Sequence, residues 1–334
     1  MLRFVVRRLL LLIPILIGLS ILVFLWIRAL PGGPAQALLG ERATAESIEQ
    51  IEQQYGLDKP IYEQYLTYAS KIAQGDLGTS VTTRRPVVDE LEQRFPATIE
   101  LAFAAMLFAT LLGIPLGFVA AKKYGSATDH ASLVLSLLGI SIPVFFLAIL
   151  LKYVFAVELG WLPTVGRISA TIDIEHPTNF YVIDAIIALN AEAFWDTIKH
   201  LILPAIALGS IPLAITARIT RAAVLDVQNE DYVRTARAKG LPPRVVDVRH
   251  IFRNALLPIT TILGLQVGLL LSGAVLTETV FAWPGMGTWL VEAIEQRNFP
   301  VLQAGILFVS FVFVIVNLLV DISYALINPR IRVS

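Results

Sequence analysis

Long apolar runs separated by polar stretches set the pattern of this chain. Six of them, residues 9–30, 97–121, 132–157, 201–220, 259–282 and 301–327, approach or exceed the ~20 residues a helix needs to cross a bilayer. A membrane barrel strand needs only about 9–11 residues and alternates in polarity, which these runs do not. The pattern predicts an all-α polytopic membrane protein with six transmembrane helices. The apolar stretch 180–194 is shorter and carries Asp184 and Glu192, so it predicts an interfacial or external helix rather than a seventh span. The polar stretch 31–96 predicts a small helical insert. Thr44 caps a helix on which Ile48, Ile51 and Tyr55 share one face, Gly56 ends it, and Pro60 opens a second helix reaching Ala73. The expected organisation is a tail and first span (1–30), an external subdomain (31–96), a five-helix core (97–327) containing a loop at 221–258, and a tail (328–334).

Composition agrees with a lipid environment. Only 16% of the 334 residues are charged and mean hydropathy is +0.72, against about 25% charged for a soluble domain. The net charge is zero, so its distribution matters more than its total. Lys and Arg cluster at Arg3, Arg7 and Arg8, at Lys122 and Lys123, between Arg218 and Arg253, and at Arg330 and Arg332. The intervening connections lean acidic, with Glu158, Asp173, Glu175, Asp184, Glu192 and Asp196 in one and Glu292 and Glu295 in another. The positive-inside rule then places both termini in the cytoplasm. Arg3, Arg7 and Arg8 before an apolar run also resemble a signal peptide, but the run exceeds the usual ~7–15 residues and no Ala-x-Ala site follows, so an uncleaved anchor is expected. The absence of cysteine excludes thiol catalysis and Cys-ligated zinc, and His130, His176, His200 and His250 form no metal-binding spacing.

The most informative polar segment is the basic loop. Residues 231–239 predict a short helix: Asp231 leads, Arg237 and Lys239 end it, Gly240 supplies the C-terminal turn and Pro242 forbids continuation. Ala236 and Gly240, four apart, make a side-chain-poor stripe for a partner's groove, and Arg234, Arg237 and Lys239 beside it would steer an acidic partner. A second helix over 244–255 returns the chain to the membrane. The alternative is an ordinary basic loop whose charges only fix topology. In the fifth span Gly264, Gly268 and Ser272 recur every four residues, either as a seam with another subunit or as packing within the chain. Glu278 and Asp321 stand near helix ends, where an interfacial place is expected. Gln266 lies deeper and is a candidate to line a path.

The run Tyr232-Val233-Arg234-Thr235-Ala236-Arg237-Ala238-Lys239-Gly240, followed by Arg253-Asn254-Ala255-Leu256-Leu257-Pro258, resembles the coupling loop of ABC-importer permeases. It is similar to the variant of the dipeptide, oligopeptide and nickel transporter family. Gly75-Asp76-Leu77-Gly78-Thr79-Ser80, Arg94-Phe95-Pro96-Ala97-Thr98, Leu159-Gly160-Trp161-Leu162-Pro163-Thr164, His200-Leu201-Ile202-Leu203-Pro204, Phe281-Ala282-Trp283-Pro284-Gly285-Met286-Gly287 and Asn328-Pro329-Arg330 extend the likeness to nearly the whole chain. The large insert after the first span resembles the family's B-type subunit. The general importer loop carries Glu-Ala-Ala where Arg234, Thr235 and Ala236 stand here.

The resemblance implies a type I ABC importer permease fold in the cell (inner) membrane. The implied partners are a C-type permease, two ABC ATPase subunits and an extracytoplasmic substrate-binding protein, with no nucleic acid. The residues implied to couple to the ATPases are Asp231, Tyr232, Arg234, Thr235, Ala236, Arg237, Ala238, Lys239, Gly240, Asn254 and Pro258. No Gly-x-x-x-x-Gly-Lys-[Ser/Thr] loop occurs, so ATP and Mg are expected on the ATPases, and neither enzymatic activity nor a bound cofactor is expected here. A carrier driven by an ion gradient, the rival class, is expected to show paired ionisable residues or broken helices inside its spans. Here the charge concentrates at the loops.

Overall fold

The computed structural model describes residues 2–29 and 44–327. The expectations for Arg330, Arg332, Asn328, Pro329 and the start of the insert lie outside them. Every regular element among the described residues is helical. Five helices are long and apolar enough to cross a membrane, or six if one bent pair counts as a span. The chain divides into two compact units, Met1–Pro96 with Gly285–Ile315, and Ala97–Pro284 with Val316–Ser334.

In the first unit, α1 (Leu2–Ala29) is the first span. The insert forms α2 (Ala45–Tyr55) and α3 (Ile61–Ala73). The Thr44 hydroxyl accepts from the Ser47 amide at 3.2 Å and the Ser47 hydroxyl sits 2.9 Å from the Thr44 amide, a reciprocal cap that satisfies two otherwise orphaned donors. Gly56 ends α2 at φ +65°, a backbone a side chain would resist. The insert is fastened to the first span. Tyr65 and Tyr68 of α3 pack on Phe24, with ring centroids 5.3 and 5.4 Å away. The Arg28 guanidinium covers the same Phe24 ring at 3.4 Å while its Nε donates to Gln64 at 2.8 Å. Burial of the Tyr68 phenol, helped by Tyr65 and opposed by Arg28, raises its pKa above the usual tyrosine range. Val23 and Ile27 meet Val87, Leu91, Trp289 and Phe299 in a common apolar core.

The second unit is built around α8 (Ala191–Gln228), a 38-residue helix and the most buried span, with 67% of its apolar window inside the protein against 22–33% for the others. It extends beyond the expected 201–220 at both ends, starting where Asn190 caps the amide of Ala193 at 3.0 Å. The apolar stretch at 180–194 yields only the seven-residue α7 (Tyr181–Ile187), as its length required. Before these come α4 (Val87–Lys122), which belongs to this unit from Ala97 onward, α5 (Ala127–Ser141) and α6, which runs α-helical over Val144–Leu151 and π-helical over Lys152–Glu158. The third apolar run is not one rod: α5 and α6 meet at 102°. Pro143 causes the break, because it pushes Ile142 into extended backbone (φ −80°, ψ 122°).

The loop that follows α8 holds α9 (Asp231–Ala238). The expected separate helix at 244–255 is instead the first part of α10, which opens at Pro243–Val245, widens to π-helix over Val246–Phe252 and continues over Arg253–Gly273. The fifth apolar run then breaks at Ala274, leaving Val275–Val280 as α11. The last described elements are α12 (Met286–Glu295), in the first unit, and α13 (Phe299–Ile327).

Candidate functional site

Helix α9 carries a polar face and an apolar one. Val233 and Ala236 are its buried positions, packed in a cluster with Ala121 of α4, Val224 of α8 and Val246, Ile251, Ala255 and Ile259 of α10. Asp231, Tyr232, Arg234, Thr235, Arg237, Ala238, Lys239 and Gly240 are exposed. Ala236 therefore does not join Gly240 in an outward stripe. It is 5% exposed and faces its own chain, because three-residue spacing from Val233 puts both on the inward side.

The end of α9 is a Schellman turn. The Leu241 amide reaches the Ala236 carbonyl at 3.4 Å and the Gly240 amide reaches Arg237 at 2.9 Å. Lys239 is the cap residue, and Gly240 follows it in the left-handed conformation at φ +74°. Around the helix, Arg234 pairs with Asp231 at 3.4 Å on the exposed surface. Partial burial, then the Glu230 charge, hold the Tyr232 phenol above the usual tyrosine range. The Asn254 side chain donates back to the His250 carbonyl at 2.7 Å. Arg234, Arg237 and Lys239 supply the positive charge of this face. Asn254 and Pro258 are exposed on α10.

Two ion pairs brace this end of the second unit. Lys122, the last residue of α4, donates to Asp247 of α10 at 2.8 Å. Arg221 of α8 grips Asp129 of α5 with two guanidinium nitrogens, one of them 2.8 Å from the carboxylate. Asp129 also accepts from the Gly125 amide at 3.0 Å.

Elsewhere in the second unit lies a buried knot that sequence reading missed. Arg167 is 4% exposed and donates to Glu100 of α4 at 2.7 Å and to the Asn179 carbonyl at 2.8 Å. Its guanidinium lies 3.7 Å from the Tyr181 ring centroid, and His176 stacks on Tyr181 at 3.7 Å. The other Glu100 oxygen accepts from the Val182 amide at 2.8 Å. The signal was Glu100 itself, a carboxylate in an apolar run. Glu278, expected at an interface, is wholly buried and accepts from Thr98 at 2.7 Å. Charge is thus not confined to the loops. The side chain of Asp321 lies outside the described residues.

Of the other candidates, Gln266 is buried, and its Nε2 has no hydrogen-bond partner among the described residues. Gly268 is buried and Gly264 partly so, which favours packing within the chain; the side chain of Ser272 lies outside the described residues. A close helix approach occurs at Gly113 and Gly117 of α4, whose four-residue spacing was readable. The first unit holds a polar cavity of about 380 Å³ lined by Arg85, Glu90, Arg94, Trp289, Glu292 and Asn298. No group of three or more metal-ligating residues occurs among the described residues.

Comparison with known proteins bears on the whole chain. Residues 113–333 match the model of the binding-protein-dependent transport system inner membrane component, and residues 1–102 match its N-terminal companion. The di/tripeptide transport system permease protein DppB of Pseudomonas aeruginosa UCBPP-PA14 is 51% identical, over 99% of both chains. The dipeptide transport system permease protein DppB of Escherichia coli K12 is 47% identical over 99% of both. The glutathione transport system permease protein GsiC of Escherichia coli O6:H1 is 45% identical over the same share. An inward-facing structure of the MetNI methionine ABC transporter shares the fold, at TM-score 0.51 and 15% identity, over 70% of this chain and 93% of that one.

Proposed function

The chain belongs to the family of binding-protein-dependent transport system inner membrane components, and from that membership we propose that it forms part of the path by which an ATP-driven importer admits peptides or related small solutes. Its partners in this reading are a second, C-type permease, two ATPase subunits on the basic side and a substrate-binding protein outside. ATP and Mg act on the ATPases, and this chain performs no hydrolysis. Transport runs by alternating access: the ATPases close on ATP, carry the loop of each permease with them, and turn the helix bundle from one opening to the other.

The observation that carries the reading is the two-sided character of α9. One face is packed against its own chain, while Tyr232, Arg234, Arg237, Lys239 and Gly240 stand exposed on the other. A helix held on one side and cationic on the other suits a rigid lever gripped by an acidic groove. The gradient-driven rival gains the broken third span and the buried ion pairs. Glu100, however, has both oxygens engaged, by Arg167 and by Val182, so it is poorly placed as a proton carrier.

The decisive experiment is reconstitution. The chain should co-purify with two ATPase subunits, and vesicles holding the whole complex with the binding protein should take up dipeptide only with ATP. Uptake by this chain alone, indifferent to nucleotide, would overturn the reading. At the lever, Gly240→Glu is expected to insert normally and abolish uptake. Gly240→Asn, whose side chain tolerates φ > 0, should retain most of it. Equal uptake by the two variants would remove Gly240 from the contact.

A further inference from the structure

We propose that the Lys122–Asp247 pair is the positioning contact through which motion of the α9 lever reaches α4, an inference that rests on the transport reading above. Three observations place it. First, α9 packs on the start of α10 through an apolar cluster, with Val233 and Ala236 against Val246 and Ile251, and the same cluster takes in Ala121 of α4, the residue before Lys122. Second, Asp247 stands in the π-helical stretch Val246–Phe252, and its carboxylate reaches the last residue of α4 at 2.8 Å. One turn from each partner, Phe118 and Phe252 meet edge to face at 5.9 Å, so a directional polar contact and an aromatic one join the same two helices. Third, the neighbouring Arg221–Asp129 pair ties the end of α8 to the start of α5, so α8 has its own brace and needs no help from Lys122.

The side chains of the Lys122–Asp247 pair are 33% and 23% exposed. A half-exposed pair of this kind adds little to folding. Its placement at a helix terminus next to the lever is better suited to direction than to stability. A wider π-turn with weaker ladder geometry lets the return arm flex unless something fixes it to α4, and Asp247 supplies that fixture. With the pair intact, a push on α9 displaces the end of α4. With it broken, the push is absorbed in the π-turn, and ATP is hydrolysed without a full change of access.

The test uses the complete reconstituted importer, with uptake and ATP hydrolysis measured on the same vesicles. K122E and D247K should assemble normally and hydrolyse ATP at near wild-type rate, while solute moved per ATP falls about tenfold, the scale of a typical coupling between sites. The double reversal K122E/D247K should restore most of the ratio, which a loss of fold would not allow. K122M and D247N, which break the pair without like-charge contact, should lower the ratio in the same direction. A wild-type ratio in both, or a double reversal no better than its parents, overturns the proposal while leaving the transport reading intact. Nucleotide-independent uptake by the wild-type complex would sink both.

Discussion

Gly117→Val is expected to eliminate most of the folded protein from the membrane. A Cβ at Gly117 would lie 2.2 Å from the Ala217 carbonyl oxygen, 2.7 Å from Thr220 Cβ and 3.0 Å from the Arg221 amide. Two of those atoms are backbone and cannot rotate away. A Cβ at Gly113, one turn earlier, would lie 3.0 Å from the Leu213 carbonyl oxygen and from Thr216 Cβ. From the other side, a Cβ at Gly209 of α8 would lie 2.6 Å from the Ala105 carbonyl oxygen. Three glycines therefore let α4 and α8 approach backbone to backbone. In lipid this closeness is itself the source of association, since apolar side chains gain nothing by leaving lipid for protein. Overpacking costs about 1–3 kcal/mol in a soluble core and more where backbone is the obstacle. The readout is the yield and melting temperature of monodisperse protein in detergent. Gly117→Ala should fall between wild type and valine, and a valine variant melting like wild type would contradict the packing described here.

Arg167→Met should be the most destabilising exchange outside the helix seams. It strands the Glu100 carboxylate, 8% exposed, without its cation. Breaking a buried pair from one side typically costs about 3–5 kcal/mol, because the remaining charge stays desolvated. The double exchange Arg167→Met with Glu100→Leu is expected to recover part of that loss, though not all, since the Val182 amide also loses its acceptor. Thermal unfolding of the four proteins forms a double-mutant cycle. Strict additivity would show that the pair does not act as a unit.

The sequence exposed the parts governed by local chemistry. The Thr44 cap, the Gly56 stop, the short helix α9 and its glycine turn follow from residues adjacent in the chain, so each was readable. Span lengths were less readable, because hydropathy marks the stretch that suits lipid rather than the point where helical hydrogen bonding ends. Thus α4 begins ten residues before the apolar run, and α8 extends past its run at both ends. The break at Pro143 had a visible cause in the proline, but apolar residues on both sides concealed it. The inward turn of Ala236 depends on α10 returning beside α9, and the partnership of Glu100 with Arg167 spans 67 positions. Neither arises from any local rule. Small size at Ala236 reports a tight fit, and only the fold says with whom.

The elbow between α5 and α6 has a consequence for how this chain lives in lipid. Each arm has 15 residues, counting the π-helical end of the second, and so measures about 22 Å, short of the ~30 Å of hydrocarbon. A corner inside that layer leaves carbonyls and amides that oil does not solvate, so protein or trapped water must fill it. A solitary copy is therefore unfinished as a membrane object. A neighbouring subunit or a wet crevice has to complete the missing wall.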